Sequence, residues 1–179
     1  MSVDVLGVAK ALVILAMAGA TLRFARARMR GERTVATAFR TTTNLAAAFA
    51  LWHLLDYARS GDPMTSIPLA GNVLLMAGFA WVQRGRIFVY SLDQDELQTL
   101  LGGFDGVEDA RFGQWGGSAA WVELPPERIT ERSRWVAYLE QRVLTLGRGE
   151  PQSIAGLGAV TGVLGGYGLF ELARALGLG

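Results

Sequence analysis

The segment from Leu22 to Arg40 most constrains this chain. It carries six arginines (Arg23, Arg26, Arg28, Arg30, Arg33 and Arg40) against one acid, Glu32, and an apolar run flanks it on each side. Cationic loops resist translocation and stay on the cytoplasmic side. The segment therefore predicts a cytoplasmic connection between two membrane-crossing helices, with its arginines reaching anionic lipid headgroups. It also sets the direction of every other apolar run.

Four such runs are expected. The first covers about Asp4 to Leu22, close to the roughly 20 apolar residues that cross a bilayer core. Its flank before the apolar run has Asp4 and no cation, the reverse of a secretory signal. No helix breaker follows until Gly31, so the helix is expected to continue past the membrane. The second run covers about Ala38 to Ala58, with Trp52 and Tyr57 at the outer interface. Ser60-Gly61-Asp62-Pro63 then makes a tight outer turn. The third covers about Met64 to Val82 and ends in the cationic Gln83-Arg84-Gly85-Arg86. The fourth covers Ile154 to Leu172. Both termini are thus predicted outside. Only 18% of residues are charged, against roughly 25% in a soluble domain. One lysine against sixteen arginines reflects a GC-rich genome, and the expected location is the plasma membrane of a prokaryote, as a multi-pass protein.

Between the third and fourth runs lies a polar insertion, residues 84–150, with 8 arginines against 11 acids. The rest of the chain carries 9 cations against 5 acids. Gly85 to Ser91 is β-branched and aromatic, a strand pattern. A capping box, Asp93 with Glu96 or Ser91 with Gln94, opens a helix whose Leu97, Leu100, Leu101 and Phe104 share a face. Val107 to Phe112 and Ser118 to Leu124 read as strands joined through Gly116-Gly117. Pro125-Pro126 opens a helix to about Leu146, with Ile129, Val136, Leu139, Val143 and Leu146 as its apolar positions. The expected fold is a mainly α membrane protein: four transmembrane helices, N-out and C-out, with a cytoplasmic β-α-β-β-α module between the third and fourth. The corresponding domains are 1–83, 84–150 and 151–179.

Two features point to association. Gly158, Gly162 and Gly166 are spaced by four on the last helix. A bare backbone face of this kind admits close packing of another helix in lipid, within the chain or from another copy. In water the same glycines would weaken the helix by roughly 1 kcal/mol each relative to alanine. The second feature is a set of ionisable residues in the outer halves of the spans: Lys10, His53, Asp56, Glu171 and Arg174. Charge in lipid is costly and is paired where it persists. Lys10 is expected to pair with Asp56, and Glu171 with Arg174 or His53. A pairing clamp is the simpler reading, and a proton or ion relay the alternative.

Enzyme signatures are absent from the sequence. There is no cysteine and one histidine, which excludes disulfides and thiolate or histidine-rich metal sites. Asp93-Gln-Asp95 begins like a calcium loop, but Gln98 and Phe104 stand where glycine and glutamate are needed. No phosphate-cradling loop precedes a helix, and no GxSxG occurs. No cofactor, metal or nucleic acid is expected. The expected role is a non-catalytic structural or accessory subunit of a membrane assembly, partnered by lipids and by other membrane subunits or copies of itself. The alternative is a small oligomeric channel or transporter.

Overall fold

A computed structural model describes residues 4–62, 64, 66–116, 119–152 and 155–178. Pro63, Gly117, Ser118 and Ile154, which figure in the expected turns and runs, lie outside the described residues. The chain is mostly helical with one small antiparallel sheet. It divides into two compact units. One comprises Met1–Ala25, Thr43–Gly78 and Ile154–Gly179, and the other Arg26–Thr42 and Phe79–Ser153.

The first unit is built from most of four helices, α1 (Val5–Met29), α2 (Ala38–Ser60), α3 (Ser66–Val82) and α6 (Ala155–Ala175), while α1 from Arg26, α2 up to Thr42 and α3 from Phe79 belong to the second. Helix α1 runs on past the apolar stretch and stops two residues before Gly31, which adopts the left-handed φ of +63°. Two helices, α1 and α6, are long and apolar enough to cross a membrane. Helix α2 is long enough, but Arg40, the threonines at 41–43, His53, Asp56 and Arg59 lower its hydropathy. Helix α3 is strongly apolar but only 17 residues long. Of the four expected crossings, length and apolarity alone thus identify two.

The second unit is a sheet with two helices packed on one face. Its strands are β1 (Thr34–Thr37), β2 (Arg86–Tyr90), β3 (Arg111–Trp115) and β4 (Ala119–Glu123), in the order β1-β2-β4-β3. All neighbours are antiparallel. Strand β1 comes from the arginine segment, which was expected to be connection only. It pairs Val35 with Val89 and Thr34 with Tyr90. The β-branched Thr-Val-Ala-Thr suits a pleated surface, and β2 offers the ladder that satisfies its backbone.

Alternate residues of β2 and β4 point to the helices. Ile87, Val89, Ala120 and Val122 form a dry core with Leu97 and Leu101 of α4 (Gln94–Leu101) and with Trp135, Leu139 and Val143 of α5 (Arg132–Thr145). The capping box opens α4 as the sequence suggests: Asp93 accepts from the Glu96 amide and Glu96 reaches back to the Asp93 amide. The last helix differs. Pro125 is extended, as a residue before proline must be, and Pro126–Glu131 form a tight 3₁₀ turn before α5 begins. The buried seam is therefore Trp135-Leu139-Val143, spaced by four. Of the expected apolar positions, Ile129 falls in the 3₁₀ turn and Leu146 is exposed. Val107–Asp109 is likewise a 3₁₀ turn, so β3 starts four residues later than expected.

The turn at Gly31 locks this unit. Gly31 accepts from the Gly149 amide at 2.8 Å, and a Cβ at Gly31 would collide with the Gly149 carbonyl. Gly103 also has positive φ, but a Cβ there meets nothing within 4 Å. Gly103→Ala is expected to cost about 1–2 kcal/mol from backbone conformation alone. Gly31→Ala adds a collision and costs more. Thermal unfolding of the two variants in detergent checks this; equal midpoints would show that the contact does not matter.

Candidate functional site

The candidate site lies in the helical unit and joins the start of α1 to the ends of α2 and α6. Asp4 precedes the first turn of α1, where its Oδ1 accepts from the Gly7 amide at 2.9 Å. Such a cap satisfies a backbone donor that the helix itself leaves unpaired. Its own amide donates to the Ala175 carbonyl at 3.1 Å, near the end of α6. One and a half turns further along α1 stands Lys10, almost wholly buried.

Lys10 is the centre of the cluster. Its Nζ donates to Asp56 Oδ1 at 2.8 Å and lies 3.6 Å from Glu171 Oε1. It also lies 5.9 Å from the Trp52 ring and 5.7 Å from the Tyr167 ring, which are themselves 5.8 Å apart. The aromatic faces add a cation–π attraction, larger where the cation is desolvated. A second cation, Arg59, lies 2.7 Å from Asp4 Oδ2 and 3.5 Å from Glu171 Oε2. Glu171 is therefore shared by two cations. Two cations and three carboxylates from three helices form one lattice.

The lattice differs in membership from the expected set. Lys10 and Asp56 meet as the pairing argument requires. Glu171 takes Lys10 and Arg59, whereas the expected partners were Arg174 and His53. His53 stacks on Trp52 at 5.9 Å and Arg174 is exposed; neither forms an ion pair among the described residues. Arg59 and Asp4 were not anticipated. The missed signal is helical spacing, since Arg59 follows Asp56 by three and shares its face. Asp62, in the turn that follows, accepts from the Met64 amide at 2.9 Å.

The arginine segment divides between two roles. Arg28 is buried and belongs to the sheet unit. Its Nη2 donates to the Glu32 carbonyl at 2.6 Å and to Thr34 Oγ1 at 2.8 Å, and its Nη1 donates to Ser91 Oγ at 3.4 Å. Its guanidinium lies 4.6 Å from the Tyr90 ring. Burial raises the Tyr90 phenol above its ordinary pKa, while the Arg28 charge acts the other way. Arg33 bonds Glu96 at 3.0 Å. Arg23, Arg26, Arg30 and Arg40 are exposed.

The glycine face is open within one chain. A Cβ at Gly158, Gly162 or Gly166 would meet nothing within 4 Å. The close approach on α6 occurs at Gly168, where a Cβ would strike Leu15 and Ile14 of α1. Among the described residues no group of three or more His, Cys, Asp or Glu side chains is arranged to hold a metal ion. Comparison with protein-family models, with curated proteins and with solved structures finds no match.

A buried cation that loses its partners, or leaves them, costs far more than the pair itself contributes. Lys10→Met is expected to destabilise the helical unit by about 3–5 kcal/mol because Asp56 loses its cation and Glu171 keeps only Arg59. A Lys10→Met/Asp56→Asn cycle should give a coupling of about 0.5–3 kcal/mol. Arg174→Gln should stay within about 0.5 kcal/mol, as for surface changes. Unfolding in mixed micelles measures all of these, and additive single effects would remove the clamp.

Proposed function

We propose that this is a non-catalytic integral membrane protein that crosses the bilayer four times and serves as a structural or accessory subunit of a membrane assembly. The observation that carries the reading is the Lys10 lattice. Each carboxylate in it touches a cation, and this pairing, which leaves three carboxylates against two cations, holds the helices together. A relay would need a group free to change its partner, and here Lys10 and Arg59 are both committed.

The membrane part of the reading has separate support. Helices α1 and α6 have spanning hydropathy, yet only 28% and 11% of those windows are buried. Leu12, Val163, Leu169 and Phe170 face outward. So much apolar surface in water would be an aggregation liability, whereas lipid accepts it at no cost. Helix α2, at 23 residues, is about 35 Å long at 1.5 Å per residue, enough to cross. Its obstacle is charge, and Lys10 and Asp4 offset it by pairing with Asp56 and Arg59. Helix α3 at 17 residues is at the lower end of the spanning range. The start of α1 meets the ends of α2 and α6, as expected if both termini and the turn at Ser60 share the outer side. The arginine segment then lies in the cytoplasm of a prokaryotic cell, with its exposed cations near anionic headgroups.

Association is carried by the open face at Gly158, Gly162 and Gly166 on α6 and by the sheet unit. The first suits a helix of another membrane subunit or of a second copy, because small residues allow backbones to approach.

The chain has no native cysteine, so single cysteines report topology cleanly. With a membrane-impermeant maleimide on intact cells, Ser60→Cys and Leu178→Cys should label, and Arg30→Cys only after permeabilisation. Labelling of Arg30→Cys from outside would overturn the orientation. Gentle solubilisation should return the protein with a stoichiometric membrane partner, and the pure protein in liposomes should pass no ion above background. Selective flux from a pure homo-oligomer would favour a channel or transporter instead.

A further inference from the structure

We infer that the sheet unit carries a binding site for the headgroup of an anionic phospholipid, in the cleft between the end of α3 and the β3–β4 edge. The inference rests on the membrane reading above and adds a specific lipid contact to it. The cleft encloses about 490 Å³. Its walls include Trp81 and Val82 from α3, Arg84 just beyond it, Asp109 from the 3₁₀ turn before β3, Arg111 from the start of β3, and Glu123 from the end of β4.

Charge selects the ligand. Arg111 stands opposite Glu123 in the ladder, but the Glu123 carboxylate is taken by Arg86 at 3.2 Å. Arg86 in turn lies 4.6 Å from the Trp121 ring, so it is held on the sheet face. Arg111 and Arg84 therefore form no ion pair among the described residues. Arg84 rests on the Trp81 ring at 4.0 Å. Its carbonyl accepts from Arg132 Nη1 at 2.9 Å, which fixes the backbone below it. Asp109 is the one acid on the wall without an ion partner. With Glu123 neutralised, two arginines and one aspartate leave a single positive charge. That matches the one negative charge of a phosphodiester and falls short of a phosphate dianion.

The rest of the cleft fits an amphiphile. Trp81 is 66% and Val82 73% exposed, at the end of a helix that is apolar from Gly71 to Val82. A tryptophan in that position suits the headgroup level of a bilayer, where one side of the ring is apolar and the other wet. Arginines just beyond the apolar turn reach the same level, and their forked donors suit phosphate oxygens. A free phosphate would use the arginines and leave Trp81 and Val82 in water. A phospholipid uses both.

The test takes the full chain in a mild detergent after delipidation. It is titrated with dihexanoyl-phosphatidylglycerol, dihexanoyl-phosphatidylcholine or inorganic phosphate, and bound ligand is read by native mass spectrometry. Phosphatidylglycerol should bind in preference to both others. Arg84→Gln/Arg111→Gln should weaken it by about tenfold or more, as expected for loss of charge-assisted bonds. Arg142→Gln, outside the cleft, should leave it unchanged. Since Arg111 is exposed and its side chain forms no ion pair among the described residues, Arg111→Gln alone keeps the fold and should still weaken binding measurably. Equal affinity in wild type and both cleft variants would overturn the site, and equal binding of inorganic phosphate would overturn the lipid as its ligand. Neither result bears on topology, which the cysteine labelling decides separately.

Discussion

The helical unit depends on Lys10 being neutralised where water is scarce. An ammonium removed from water loses several kcal/mol of hydration, and one carboxylate at good distance regains only part of that. Lys10 has two carboxylates and two aromatic faces. The sharing of Glu171 with Arg59 extends the pairing to Asp4. Such a lattice contributes little net stability compared with well-packed apolar residues. Its consequence is specificity: apolar helices in lipid can slide and rotate at small cost, but these three cannot do so without exposing a bare charge.

The sheet unit has its counterpart in Arg28. It is held by a backbone carbonyl, two hydroxyls and the Tyr90 ring. Through these contacts it joins the last turn of α1, the Gly31 turn, β1 and β2. The end of α1 is closed a second way, by the Gln152 amide donating to the Arg28 carbonyl. A small sheet with two short helices buries too little surface to be stable alone. Adding β1 and the segment at Gly149 widens the sheet and ties down its last loop. The arginine segment is thus a structural part of the unit it precedes by fifty residues.

Much of this was legible where one local rule decided the outcome. The capping box at Asp93 and Glu96, the strand at Arg86–Tyr90 and the stop of α1 near Gly31 each follow from a few adjacent residues. The Lys10–Asp56 pair was legible because buried charge must find a partner and few candidates existed. What escaped depended on distant context. Four residues of β1 become a strand only because β2 presents a free edge. Trp135 is not among the apolar positions expected for that helix, and its burial is decided by where the Pro125-Pro126 turn starts the helix. Arg59 escaped because its partners are set by its helical face, which carries it to Asp4 and Glu171.

The two kinds of arginine in the chain make a general point about reading cationic segments. Counting Arg23 to Arg40 as six equal charges is sufficient for predicting which side of a membrane they prefer, because that preference depends on number. It is insufficient for predicting what each contacts. Arg28 and Arg33 are consumed by hydroxyls, a carbonyl and Glu96, and once paired they attract anions weakly. Arg84 and Arg111, in a segment that is net acidic, form no ion pair among the described residues, and Glu123, opposite Arg111 in the ladder, is engaged by Arg86. Attraction for an anionic surface therefore follows from which cations remain unpaired after folding, and the net charge of a segment is a poor guide to that.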